Sequence, residues 1–247
     1  LTWRALVGGK GLKGGKKVII ENACHAEIIE VLEGAQRLIR FDEPIEPFFP
    51  HIGNVPLPPY IHAKLEDPER YQTVYAQEPG SAAAPTAGLH FTPRLLAELN
   101  EKGINCAEVT LHVGLDTFAP VTEDDVEEHH IHTEWCQLTP ETAQKITNTK
   151  QAGGRVVAVG TTSVRTLESA SQTGVTLPTS GATSLFILPG YEFQAVDIMI
   201  TNFHLPKSTL VMLVSAFAER EMILNAYETA IREGYRFYSF GDAMIIL

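Results

Sequence analysis

The chain has 247 residues, 44% of them hydrophobic, and a formal net charge of −11. That is enough apolar material for one large domain or two small ones, and the acidic balance excludes indiscriminate binding to nucleic acid or membrane surfaces. Cys24, Cys106 and Cys136 are odd in number and widely spaced, so no disulfide framework or CxxC motif follows, and a reducing cytoplasm is expected.

Trp3–Val7, Lys17–Glu21, His25–Leu32 and Gln36–Phe41 are rich in Val, Ile and Leu, with glycine-bearing turns between them. They read as short strands, and their close spacing predicts a small all-β domain over residues 1–50, a barrel or a sheet, with the barrel as the expectation. Residues 1–17 hold Arg4, Lys10, Lys13, Lys16 and Lys17 and no acid, which reads either as a solvated surface or as a contact for a polyanion. Pro44, Pro47, Pro50, Pro56, Pro58 and Pro59 follow in quick succession and mark a boundary. Beyond it, residues 51–247 read as a large α/β domain. The chain opens at Leu1 rather than at a methionine, so preceding sequence is expected.

Within the larger part, Thr92 caps and Pro93 opens a helix whose Leu95, Leu96 and Leu99 share a face, stopped at Gly103. A strand is predicted over Ile104–Val113. Thr139-Pro140 repeats the cap-and-proline start for a helix to about Lys150, and Arg155–Val159 is a short apolar strand. Thr161–Ser171 reads as a helix, residues 210–218 as a buried one too short to span a bilayer, Ala226–Glu233 as another, and Ala243–Leu247 as a closing strand.

Five polar stretches interrupt this scaffold. Pro85–Phe91 sets Thr86, Gly88 and His90 just before a helix start, whose potential favours a neutral ring able to act as a base or hydrogen-bond partner. Thr110–Phe118 ends a strand with His112 opposite the Leu111 face and Asp116 in the turn, a common ligand position in α/β sheets or else a local cap. Gly160–Glu168 offers Thr161, Thr162 and Ser163 at a helix start, suited to a carboxylate, phosphate or ribose; Arg165 there either clamps an anion or pairs with Glu168. It carries no GxGxxG and no Walker lysine. His129–Glu134, if extended, puts His130, His132 and Glu134 on one face, a plausible divalent-metal triad. Thr201–Thr209 places Asn202, His204 and Lys207 on the doorstep of the 210–218 helix, which Ser208 or Thr209 can cap.

PTAGLHF, TLHVGLDTF, EHHIHTE, GTTSVRTLES, TNFHLPKST and YRFYSFGDA resemble, in order and spacing, the S-adenosylmethionine:tRNA ribosyltransferase-isomerases of the queuosine pathway. So do PLPPYI and YQTVYA, and the match runs over essentially the whole chain. The resemblance implies a small β-barrel inserted in a larger α/β domain. It also implies a reaction in which the ribosyl group of S-adenosylmethionine, a co-substrate, moves to 7-aminomethyl-7-deazaguanine at the tRNA wobble position. Rearrangement gives epoxyqueuosine, with adenine and methionine released. No further cofactor and no metal is implied; the alternative is a metal-dependent small-molecule enzyme using His130, His132 and Glu134.

That chemistry needs a base for a proton beside the sulfonium and a group to help adenine leave. His90 is the first choice of base, with His112 and His132 as alternatives, and Glu134 and Asp242 complete the catalytic candidates. Thr86, Gly88, Asp116, Thr161, Thr162, Ser163, Arg165, Asn202, His204 and Lys207 are the substrate-binding candidates. Asp116, Glu134 or Asp242 would hold ribose hydroxyls or the sulfonium charge, and the Thr161–Ser163 helix start with Arg165 the methionine carboxylate. Asn202, His204 and Lys207 would meet adenine or the tRNA backbone. Phe91, Phe203, Tyr235 and Phe237 are candidates for base stacking or for the core. The expected partner is the tRNA anticodon loop, with no membrane association and a monomeric state. Against the family pattern, Leu115-Asp116 replaces a small residue and glycine, Ala119 an arginine, and Glu219 a glycine at a helix end.

Overall fold

The computed structural model describes residues 1–58, 60–113 and 134–247. They fall into two compact units, Leu1–Val55 and Pro56–Leu247.

In the first unit β1 (Thr2–Leu6), β2 (Lys17–Ile19), β3 (His25–Val31) and β4 (Gln36–Phe41) form one antiparallel sheet in the order β1-β4-β3-β2. The sheet is open, which overturns the expected barrel. A barrel needs its two edge strands to pair; here β1 and β2 are those edges. β2 is only three residues long, and four short strands do not curl far enough to bring it round. The exposed core face is covered instead. Cys24, Ala26, Ile39, Phe41 and Ile45 pack with Trp3, Ala5 and Val18, and with Phe48 and Ile52. The last two belong to a 3₁₀ turn, Glu46–Phe48, and a one-turn helix, α1 (Phe49–Ile52). Trp3 meets Phe49 edge-on at 5.8 Å.

The second unit is mixed α/β. β5 (Thr110–His112), β6 (Glu134–Leu138) and β8 (Thr179–Thr183) make an antiparallel sheet in the order β5-β6-β8. β7 (Val157–Val159), β9 (Ile198–Asn202) and β10 (Ala243–Ile246) make a second, in which β9 lies centrally, parallel to β7 and antiparallel to β10. The helices are α2 (Pro93–Glu101), α3 (Pro140–Gln151), α4 (Thr161–Ser169), α5 (Thr209–Phe217) and α6 (Arg220–Arg232). Helix α4 packs against strands of both sheets, and its Val164 and Leu167 join Leu138, Ile187, Met199, Leu213, Val214 and Ile223 in one core.

The three helix starts marked by hydroxyl residues form as the sequence suggests. Thr92 accepts the Leu95 amide at 3.1 Å, Thr139 the Thr142 amide at 3.2 Å and Ser208 the Val211 amide at 3.3 Å; each satisfies one of the donors a helix start leaves open. The strand predicted over Ile104–Val113 is confined to Thr110–His112, and the last helix begins six residues earlier than Ala226. Between α5 and α6, Glu219 sits at φ +58°, a conformation glycine adopts without cost. Among the described residues, no helix is long and apolar enough to cross a membrane.

Candidate active site

β7 and β9 run parallel, so their carboxyl ends open on the same side of the sheet, the usual location of ligands in such folds. The Gly160 amide continues the ladder, donating to the Ile200 carbonyl at 2.8 Å. Gly160 then turns at φ +91° straight into α4, and no side chain caps that helix. The first amides of α4 therefore face whatever lies beyond the strand ends, with Thr161, Thr162 and Ser163 forming that first turn.

The 3₁₀ turn Thr86–His90 lies against this point. A Cβ on Gly160 would stand 3.8 Å from Ala87 Cβ, and the turn packs on β9. Asn202, the last residue of β9 and only 4% exposed, links the two. Thr86 Oγ1 donates to Asn202 Oδ1 at 3.3 Å, and Asn202 Nδ2 lies 3.3 Å from His90 Nε2. With Oδ1 held by the threonine, the amide offers N–H to the imidazole, so Nε2 accepts and the ring proton resides on Nδ1. His90 is otherwise exposed. Gly88 is forced by packing: a Cβ there would stand 2.7 Å from Thr73 Cγ2 and collide with the Tyr75 hydroxyl.

Asp242 arrives from the third side, because Ala243 of β10 is register partner of Asn202. Its Oδ2 accepts the Arg236 amide at 2.7 Å and its Oδ1 accepts Arg236 Nη2 at 3.1 Å. These bonds hold the carboxyl below its ordinary range, and nearby His90 adds to the effect. The turn carrying Asp242 is tied down by Ser239, 2.6 Å from the Tyr60 hydroxyl, and by Tyr238, whose amide donates to the Phe203 carbonyl at 3.0 Å. Thr86, His90, Asn202, Asp242 and the start of α4 thus converge from four chain segments.

Other sequence candidates are placed elsewhere or otherwise engaged. His204 is buried, its Nε2 3.0 Å from Thr201 Oγ1 and its amide donating to the Tyr227 hydroxyl at 2.9 Å; burial pushes its pKa down to about 4. Lys207 is exposed at φ +54° in the loop before α5. Arg165 and Glu134 are both buried and joined at 2.5 Å, with Arg165 Nε also donating to the Leu185 carbonyl at 3.1 Å. Glu168, the residue paired with Arg165 on paper, instead accepts the amides of Gln194, Ala195 and Val196 at 2.8 to 3.0 Å. His112 stacks on Trp135 at 4.9 Å and abuts Gly80, its buried Nδ1 without a hydrogen-bond partner among the described residues.

Asp116, His130 and His132 lie outside the described residues, as do Leu115 and Ala119. Among the described residues no group of three His, Cys, Asp or Glu could hold a metal ion. Of the aromatic candidates, Phe203 is buried and stacks on Phe237 at 4.7 Å, with Tyr227 edge-on. Sequence reasoning overlooked Tyr75, which closes over Gly88, and the role of Arg236 on Asp242; the six-residue interval between Arg236 and Asp242 carries no helical or strand period that would flag the pairing.

Residues 1–246 match the family model described as "Queuosine biosynthesis protein". An S-adenosylmethionine:tRNA ribosyltransferase-isomerase of Desulfitobacterium hafniense is 54% identical over 251 residues, covering 100% of this chain and 74% of that protein. One of Acetivibrio thermocellus is 55% identical, covering 99% and 73%. The crystal structure of an S-adenosylmethionine tRNA ribosyltransferase from Thermotoga maritima superposes with a TM-score of 0.55 at 36% identity, over 100% of this chain and 70% of that one. A family match over nearly the whole chain and sequence identity of this extent leave one assignment: the chain belongs to the S-adenosylmethionine:tRNA ribosyltransferase-isomerase family of queuosine biosynthesis.

Proposed function

We propose that the cluster at the ends of β7 and β9 carries the family's reaction. The chain transfers the ribosyl group of S-adenosylmethionine to 7-aminomethyl-7-deazaguanine at the tRNA wobble position and isomerises it to epoxyqueuosine, releasing adenine and methionine. S-adenosylmethionine is consumed as a substrate. The assignment of residues rests on one observation, the Thr86–Asn202–His90 chain beside an ionised Asp242.

The reaction needs one group to take a proton next to the sulfonium and one to assist departure of adenine. Asn202 lets His90 serve either need. With Oδ1 on Thr86, His90 presents Nδ1–H, a donor for a ring nitrogen of departing adenine. Rotation of the amide by half a turn would place Oδ1 on Nε2–H and free the Nδ1 lone pair to take a proton. Asp242 stabilises the imidazolium formed in that step and offers a carboxylate to the sulfonium or ribose hydroxyls. The methionine carboxylate fits the start of α4, on the amides and hydroxyls of Thr161, Thr162 and Ser163. Arg165, already committed to Glu134 and Leu185, supports that helix from inside. Lys207 remains available to the RNA. We place the reaction on the anticodon loop, in a monomer; three free thiols suit a reducing cytoplasm.

The test is adenine release from S-adenosylmethionine in the presence of tRNA bearing the aminomethyl-deazaguanine. His90→Ala is expected to abolish release while tRNA affinity stays within about twofold. Normal turnover by that variant would remove His90 from the chemistry.

A further inference from the structure

Charge is divided unevenly between the two units. Residues 1–55 carry seven Lys and Arg and seven Asp and Glu, so the chain's entire excess of eleven negative charges belongs to residues 56–247. A polyanion is repelled on average by the second unit and not by the first. Within the first unit the charges are also separated along the sequence. Residues 1–20 hold Arg4, Lys10, Lys13, Lys16 and Lys17 and no acid.

Three of these cations, Lys10, Lys13 and Lys16, ride on the segment that leads from β1 to β2, the two edges of the sheet, past the β3–β4 hairpin. The segment is rich in glycine yet tied down. Val7 donates its amide to the Ala35 carbonyl at 2.9 Å, Gly15 to Ile28 at 2.7 Å, and Lys16 to Lys13 at 3.1 Å; Ile28 donates back to the Lys16 carbonyl at 2.9 Å. Arg37, near the start of β4, fastens the middle. Its Nε donates to the Leu12 carbonyl at 3.1 Å, and its Nη1 to the carbonyls of Gly34 and Gln36 at 2.9 and 2.7 Å. One guanidinium thereby joins the segment to the hairpin turn.

Lys17 stands across the ladder from Glu27, which already holds Arg40 at 3.0 Å. Lys10, Lys13 and Lys16 are exposed, and none is in an ion pair among the described residues. Holding like charges on one ordered segment is unfavourable unless a counter-charge arrives from outside. Ordering the segment beforehand also lowers the entropy cost of binding one.

We propose that the β1–β2 segment, with Lys10, Lys13 and Lys16 as its contact residues and Arg37 as its positioning residue, is the docking surface for the phosphate backbone of tRNA. This rests on the RNA substrate proposed above. RNA fits better than a membrane or an acidic protein because the substrate already brings a dense line of phosphates to the molecule. Contacts of this kind supply affinity without reading sequence, which leaves recognition of the modified base to the second unit.

The experiment measures tRNA binding by fluorescence anisotropy across a salt series, and steady-state adenine release, for the full chain and for Lys10→Ala/Lys13→Ala/Lys16→Ala. Losing three phosphate contacts lowers the slope of log K against log salt by about 2 to 3. The KM for tRNA should rise at least tenfold at 0.1 M salt, while kcat and the KM for S-adenosylmethionine hold. Arg37→Lys keeps the charge but loses the fork, so affinity should fall with the slope unchanged. An unchanged slope and KM in the triple variant overturns the proposal, as does a loss confined to binding of phosphatidylglycerol vesicles. The binding series stands whether or not adenine is released, so failure of the catalytic reading is recognised separately, by an inactive unsubstituted chain that still binds tRNA through these lysines.

Discussion

His204 makes stability depend on pH in a way that can be worked out from its surroundings. His204 is 9% exposed, its Nε2 bonded to the hydroxyl of Thr201, a residue 1% exposed. Burial lowers its pKa from 6.5 to about 4. An unfolded chain therefore takes up this proton below about pH 6.5, whereas the folded chain refuses it until about pH 4. Between those values the unfolded state binds more protons, so stability falls as the pH falls and stops falling on this account below about 4. At 1.36 kcal/mol per pH unit, the loss is on the order of 3 kcal/mol. His204→Gln keeps a hydrogen-bonding group for Thr201 but cannot titrate. It should cost about 1 kcal/mol at pH 8 and be the more stable protein by about 2 kcal/mol near pH 4. The assay is urea unfolding from pH 4 to 8, followed by Trp135 fluorescence in a Trp3→Phe background, since those are the chain's two tryptophans. Stability curves that stay parallel over the whole range would refute the reasoning and return His204 to the list of groups that bind substrate.

Two further outcomes follow from packing. Gly88→Ala drives a methyl group into Tyr75 and Thr73 and displaces His90 two residues on; kcat for adenine release should fall about 100-fold, and Tyr75→Phe, by removing the hydroxyl, should restore part of it. Arg165→Met removes the guanidinium that the buried Glu134 carboxylate holds at 2.5 Å and should cost about 3 to 5 kcal/mol in urea unfolding, with the KM for S-adenosylmethionine unchanged; a raised KM at full stability would show that Arg165 binds the substrate.

Local signals were legible along the chain wherever the physics is local. Thr92-Pro93, Thr139-Pro140 and Ser208 announce helix starts, because a hydroxyl that accepts an early amide and a proline that needs none act within one turn. The strand pattern of residues 2–41 is likewise written in alternating apolar residues. Whether that sheet closes is not: closure depends on strand length and on which edges meet, and β2, three residues long, leaves the sheet open under α1. Strand β8, Thr179–Thr183, has no apolar alternation to betray it and exists because β6 offers it a ladder.

The site divides in the same way. Sequence alone singled out Thr86, His90 and Asn202 in polar stretches at element ends, and Asp242 came in through the family resemblance that the order of the motifs carried. It could not say that Asn202 would lie between Thr86 and His90, 116 and 112 positions away, since that distance is closed by the packing of the 86–90 turn on β9. It gave His90 the chemistry and His204 a place against adenine or the RNA, but it could not show the burial that sets these two imidazoles apart. One is buried beneath α6, its amide on Tyr227; the other stands at the surface with a single nitrogen engaged. Burial and hydrogen bonding decide what an imidazole can do, and both are properties of the folded chain.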